Sequence, residues 1–198
     1  NTTNSKQTNI FESRVAASKY LSLLANQFLI ATINHEQYLI DIAKSRALIT
    51  AQHLHNDFLS ESMTMRPILV PVGCELSSNL LEFVNKNDML IEQWGFKLEQ
   101  IAPTQILIRS IPATLISSEI IPLVNDLIDA LYEDESSKAI SNIIAQHVND
   151  SGTALDESNT TQLINEISQF EQSSHESGSL PWRKFDSETL SAWLNAQT

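Results

Sequence analysis

The clearest pattern of apolar and polar positions runs from Gly95 to Tyr132. Apolar residues alternate with polar ones through Phe96, Leu98 and Ile101, stop at a turn of Ala102, Pro103 and Thr104, and resume through Ile106, Ile108 and Ile111. Alternation on both sides of a turn predicts a hairpin with one buried face. Pro112 has no N–H to give to a ladder and ends the sheet, and Ser117 or Ser118 can cap the helix that follows. In that helix Ile120, Leu123, Val124, Leu127, Ile128 and Leu131 recur every three or four residues, which makes one face continuously apolar. Two strands followed by a packing helix make half of an α/β sandwich.

The same reading extends along the chain. The pattern from Phe11 to Ala25 suits a short helix, whereas YLSLL at 20–24 suits a buried strand, and periodicity alone leaves both open. FLIATI (28–33) and YLIDI (38–42) flank the polar residues Asn34 to Gln37 and predict a second hairpin. Leu48, Ala51, Leu54, His55 and Phe58 mark an amphipathic helix over 44–59. RPILVPV (66–72) has a proline at each end, which fits an edge strand or a connector and excludes a central strand. Leu80, Leu81, Val84, Leu90 and Trp94 predict a helix within 75–94. EDESS (133–137) reads as a boundary, followed by helices carrying Ile140, Ile143, Ile144 and Val148, then Leu163, Ile164, Ile167 and Phe170. QSSHESGS (172–179) reads as a loop, and a last short helix from about Ser187 carries Leu190, Trp193 and Leu194.

Composition narrows the function. With 198 residues, 42% of them hydrophobic, the chain can bury a real core. No apolar run approaches a bilayer span, and NTTNSKQTN at the start lacks the features of a secretory signal, so a cytoplasmic location without membrane contact is the expectation. Twelve Lys and Arg against 24 Asp and Glu leave a formal charge of -12, a surface that repels phosphate backbones and holds DNA weakly at most. The densest basic group, Arg183 and Lys184 beside Trp182, is too small for a nucleic-acid platform. Partner contacts are therefore the better functional class.

Candidate chemistry is sparse. His53, His55 and Asp57 spell H-x-H-x-D, but on a helix residues two apart point in different directions and cannot converge on one ion. His147 and His175 have no cysteine or histidine at ligand spacing, and the single cysteine, Cys74, excludes a multi-cysteine site. Glu133, Asp134 and Glu135 read as a solvated connection. With four glycines there is no phosphate-binding loop.

Three stretches, in order, carry a resemblance. GFKLEQIAPTQILIRSIPATL is similar to a family segment in which a strand opening on Gly-Phe turns into a second strand ending in Arg-x-x-Pro. YLSLLANQFLIATINHEQYLIDI resembles the same family's opening meander, and RPILVPV its proline-bracketed strand. The family is the C-terminal domain of the DNA mismatch repair protein MutL, matched in order from Phe11 to Leu194. The resemblance makes 20–24 a strand. It implies an α/β (α+β) fold of two subdomains: residues 1–9 as the end of a linker, 10–72 with 135–198 as the dimerisation subdomain, and 73–134 as a smaller inserted α/β sandwich.

The functional expectations follow from the resemblance. The chain would pair with itself and couple mismatch recognition to strand nicking and excision by other proteins, among them MutS, a nicking enzyme, the repair helicase and the replication sliding clamp. ATP and Mg would belong to an N-terminal ATPase part outside this chain, and no cofactor is expected here. Many family members nick DNA with a metal site built on Asp-Gln-His-Ala-x-x-Glu and Cys and His ligands near the C-terminus. The corresponding stretch here is Asp41 to Ala47, which keeps only Asp41, and Leu180, Pro181, Trp182 and Arg183 stand where the later motif would lie. The resemblance is thus to the branch without nuclease, with no catalytic and no metal residues; the competing class is an acidic metal-dependent hydrolase with an unrecognised site. Arg66, Pro67, Ile68, Leu69, Val70 and Pro71 occupy the place of a family clamp-docking segment, with Arg66 in place of its glutamine. The other account of this segment is a buried connecting strand with Ile68 and Val70 in the core.

Overall fold

The computed structural model of the chain describes residues 19–25, 27–148, 157–173 and 180–195. The segment expected to be a linker end, the possible helix before residue 19, and most of the loop at 172–179 with His175 lie outside the described residues. Within them the fold is mixed α and β, as expected, with two antiparallel sheets and helices against each.

The first sheet has the order β1-β2-β3-β7, from Lys19–Leu24, Phe28–Ile33, Glu36–Asp41 and Trp182–Phe185. Residues 20–24 are therefore strand. The β2–β3 hairpin turns on Asn34 (φ 52°) and His35 (φ 68°), two left-handed residues whose twist matches that of the flanking strands. Leu29 pairs with Ile40, and Ile40 with Trp182, which sets one buried row across the sheet. Against this face pack α1 (Ile42–Leu59) and the later α6 (Glu157–Ser173), through Ile42, Ile49, Leu163, Ile164, Ile167 and Phe170. Phe170 and Trp182 meet edge to face at 5.4 Å, and the Trp182 indole N–H donates to Glu171 at 2.6 Å.

The second sheet has the order β4-β6-β5, from Met65–Glu75, Gln105–Pro112 and Lys97–Ala102. The proline-bracketed β4 is an edge strand, as its prolines require. The single helix expected within 75–94 is two, α2 (Ser78–Lys86) and α3 (Asp88–Gln93). They part at Asn87, whose side-chain N–H donates to the Phe83 carbonyl at 2.8 Å and so takes an acceptor from the continuing helix. Gly95 sits at φ +84°, where a Cβ would come within 2.7 Å of Met63 Cγ and 3.1 Å of Pro112 Cγ. That is why the Gly-Phe start of the hairpin needs its glycine. Ile101, read from alternation as part of the buried face, is half exposed, because the β5–β6 register slips between Gln100 and Ala102 and turns it outward.

The helix α4 (Ile120–Tyr132) buries Leu123, Val124, Leu127, Ile128 and Leu131, the expected face. Its cap differs from expectation. Glu119 takes the N-cap position with no side-chain bond, while Ser118 is buried with an unpartnered hydroxyl. Ser136 caps α5 (Ser137–Ala145), accepting from the Ala139 N–H at 3.3 Å. α5 packs on α1 and α4, and its Ile140, Ile144 and Ala145 join Ala51, Leu54 and the three-stranded sheet in one larger core.

Candidate functional site

Three places could carry function, and each is built by a different local rule. The first gathers the two stretches, Asp41 to Ala47 and Leu180 to Arg183, that the resemblance sets against nuclease motifs. Asp41 ends β3 and caps α1, accepting from the Lys44 N–H at 3.2 Å, and its own N–H donates to the Pro181 carbonyl at 2.8 Å. That bond and the β3–β7 pairing bring Leu180 to Arg183 beside Asp41, around a cleft of about 560 Å³ walled by Phe28, Leu39 and Leu48. The Asp41 carboxylate is nearly buried, and the Lys44 ammonium lies 3.1 Å from it. Lys44 thus pairs with the carboxylate on the side from which the cleft opens, while its own side chain stays largely in solvent. A divalent metal needs several donors on one point, and among the described residues no group of three or more His, Cys, Asp and Glu could hold one.

The remaining candidate ligands are dispersed. His147 pairs with Asp126 of α4 at 2.7 Å, away from the cleft. On α1, His53 is exposed and His55 half-buried, and Asp57 accepts weakly from Ser62 at 3.4 Å. Lys184 is held by Glu36 across the β3–β7 pair, which raises its pKa, and so contributes to sheet pairing. Cys74 is buried, its thiol pushed up first by burial and then by the Glu75 charge, so it is poorly suited to act as a thiolate.

The second place is in β4. Pro67 pairs with Ser110 and Val72 with Ile108, so the four residues Ile68, Leu69, Val70 and Pro71 face the single position Arg109. The excess chain must leave the sheet. Leu69 is 98% exposed and Val70 78%, while Ile68 is half-buried and packs against the larger core. The account that put both Ile68 and Val70 in the core therefore holds only for Ile68. The structure thus presents Leu69 and Val70 at the crest of a bulge flanked by Pro67 and Pro71, with Arg66 exposed at its base.

The third place is the face of the four-stranded sheet turned away from α1 and α6. Ser22, Ile30, Leu39 and Arg183 form one row across it, Leu24 and Phe28 adjoin below, and Thr32, Gln37 and Phe185 adjoin above. Leu24 and Leu39 are 44% and 39% exposed, and Phe28, Ile30 and Phe185 are half-buried. An apolar sheet face of this kind is a surface that protein covers. The expectations from sequence singled out no residue of this face. The available signal was FLIATI itself: a strand with apolar residues at both alternations has no face reserved for water.

Comparisons with known proteins give the family. The family model described as the MutL C terminal dimerisation domain matches residues 21–152. The chain is 29% identical over 120 residues to the DNA mismatch repair proteins MutL of Pseudomonas aeruginosa and Azotobacter vinelandii, covering 61% of this chain and 19% of theirs. To MutL of Pseudomonas fluorescens it is 27% identical over 130 residues, 66% of this chain and 20% of that one. The chain thus spans about a fifth of the length of the curated relatives it matches. With the family model covering well over half of it, from the first sheet through α5, this chain belongs to the MutL C-terminal dimerisation domain family.

Proposed function

We propose that this chain joins two copies of a MutL-type mismatch repair protein and offers docking surfaces to other repair proteins, without cutting DNA itself. The observation that carries the proposal is the partly exposed apolar outer face of the four-stranded sheet, centred on Ile30 and Leu39. A two-fold pair of such faces is self-complementary, since the same patch serves both copies. In this reading residues 10–72 and 135–198 form the dimerising part and 73–134 the insertion, and the rest of the longer protein brings an ATPase with its ATP and Mg. Its partners are MutS, a nicking enzyme and the repair helicase, and the location is the cytoplasm. Sedimentation of the chain at micromolar concentration tests it: a dimer of the 22.1 kDa chain is the expected species. A monomer alone at those concentrations would remove the proposal.

The expectation of no cutting rests on the surroundings of Asp41, where among the described residues no group of three or more His, Cys, Asp and Glu could hold a metal. Supercoiled plasmid incubated with the chain and manganese should stay intact. Nicking that co-purifies with the protein and disappears in Asp41→Ala would establish the hydrolase reading in its place.

The bulge at Arg66 to Pro71 supports docking of the sliding clamp. Leu69 and Val70 are already presented, and prolines on either side limit the entropy lost when the segment is held. Arg66 cannot accept the hydrogen bond that a glutamine amide would, so binding is weak and transient. Because Ile68 packs inward, the informative variant is Leu69→Ser with Val70→Ser. Stability should change by less than about 0.5 kcal/mol, as at other exposed sites. Surface plasmon resonance against the clamp should lose its response, and an unchanged response rules the site out.

A further inference from the structure

The chain has three methionines, and two of them, Met63 and Met89, meet in one groove of the three-stranded half. The groove has a volume of about 410 Å³ and lies between the connection from α1 to β4 and the short helix α3, lined by Glu61, Met63, Met89, Leu90, Glu92 and Gln93. Both walls are held in place. The Ser62 N–H donates to the Asp57 carbonyl at 2.9 Å, the Ser60 hydroxyl donates to the Asn56 carbonyl at 2.7 Å, and the Gln93 side-chain amide reaches across to the Phe58 carbonyl at 3.4 Å. Met63 and Leu90 are half-buried and pack against the larger core, and Met63 lies over Gly95, whose missing side chain leaves it room. Met89 is 86% exposed at the lip.

One exposed methionine is ordinary, but a preformed groove with a thioether at floor and lip is not. An unbranched, polarizable side chain refits itself to whatever apolar group enters, which suits a surface that receives a partner. The rim sets the charge of that partner. Both charged residues lining the groove are carboxylates, Glu61 and Glu92, and Asp88 opens α3 beside Met89. Lys97 is held by Glu92 at 2.9 Å, whereas Glu61 has no ion pair among the described residues. Three carboxylates against one ammonium leave the rim negative, on a chain whose formal charge is -12. Such a rim repels nucleic acid and acidic proteins and attracts basic segments.

We propose that this groove docks a basic segment of another protein, with one large apolar side chain, aromatic by preference, seated between Met63 and Met89 and with Lys or Arg on either side meeting Glu61 and Asp88. A ring edge against a thioether sulfur is a favourable contact, which is why an aromatic anchor suits the two methionines. Because both walls are fixed before binding, little of the ordering cost falls on this chain. The proposal gives the docking part of the function proposed above a surface of stated chemistry, and it stands on the groove alone, whether or not the chain pairs with itself.

The test uses the full chain carrying carbon-13 at its methionine methyls, three signals in an NMR spectrum, and the blocked peptide KRKFLKRK as probe. On titration the Met63 and Met89 signals should shift and saturate, while Met65, which does not line the groove, serves as the internal reference. The peptide KRKSSKRK keeps the charge without the anchor, and EDEFLEDE keeps the anchor with the charge reversed; each should bind at least ~10-fold more weakly. Met89→Ser and Glu61→Lys, followed at Met63, should each weaken binding of KRKFLKRK by at least ~10-fold, whereas Leu69→Ser with Val70→Ser should leave it unchanged. All four positions are exposed, so urea unfolding should be the same for every variant. Unmoved Met63 and Met89 signals, equal shifts of all three methionines, or equal binding of the three peptides overturns the proposal. Sedimentation of the same samples separates it from self-association: a dimer that binds no peptide removes the groove's role alone, and a monomer that binds it removes the pairing alone.

Discussion

The two sheets are built alike and finished differently. Each is antiparallel, with helices on one face, but among the described residues the three-stranded sheet shares a core with about twice as many buried apolar residues as the four-stranded one. Their outer faces differ in the opposite sense. On the three-stranded sheet Arg109 pairs with Glu99 at 2.7 Å and Gln105 with Glu75 at 3.3 Å, so charged and polar pairs flank the half-buried Leu107. On the four-stranded sheet the corresponding positions are Phe28, Ile30, Leu39 and Phe185. The smaller core is the one whose sheet leaves apolar area uncovered. In the proposed pairing, the half with the smaller core is the one that completes its burial in the assembly.

This contrast can be broken most sharply at Ile30. Ile30→Asp places a charge at the centre of the proposed contact and should weaken dimerisation at least ~100-fold, about 3 kcal/mol. The equivalent change on the other sheet, Leu107→Asp, should leave the dimer constant unchanged. Equal effects at the two positions, read by sedimentation, would erase the distinction between the faces. The next largest effect belongs to the three-stranded half. Gly95→Ala puts a Cβ against Met63 and Pro112 at a left-handed position and should cost about 1–3 kcal/mol in urea unfolding, with no change in dimerisation.

Arg109→Ala sharpens the comparison at a finer scale. Both partners of the Glu99–Arg109 pair are about half exposed, so the change should cost less than about 1 kcal/mol, and a larger loss would mean this face is covered by something other than water. The smallest effect concerns Asp186. Its pKa lies below the ordinary carboxylate value, first through the Thr189 N–H and then its hydroxyl, so the folded state holds the proton less tightly than the unfolded chain. The cap's contribution is therefore present above the ordinary carboxylate range and is lost as pH falls through the depressed value. The protection of the amides in the helix Ser187–Asn195, taken relative to their intrinsic exchange rate at each pH, should fall over that acid window, and in Asp186→Ala it should be low on both sides of the window without that step.

The sequence made the local half of this design readable and hid the rest. The hairpin from Phe96 to Ile111 and the face of α4 repeat their period within one short stretch, and both form where expected, the hairpin with Ile101 turned out of its buried face by the register slip. β7 left no such mark: WRKF is four residues long with two charges, and its partner β3 lies far away in the chain. Its residues were legible only as a remnant motif, and what the motif meant for the sheet depended on the Asp41–Pro181 bond. The division of α2 from α3 was hidden because the apolar period continues across Asn87. At the cleft, Asp41 could be found by resemblance, but Lys44 could not be recognised as its counter-charge until the cap brought the two together. The outer face of the four-stranded sheet was recorded in FLIATI as apolarity without alternation, a signal that strand prediction treats as ordinary burial.

The bulge in β4 has a further consequence at the sheet's rim. An eleven-residue edge strand is a template on which another chain can add a strand, and repeated addition leads to fibres. Pro67 and Pro71 offer no N–H to an incoming chain, and the four residues between Pro67 and Val72 break the flat ladder such a chain would need. The same residues that raise Leu69 and Val70 into solvent therefore interrupt the longest open edge of the molecule, and exposed apolar side chains can be tolerated there without seeding polymerisation.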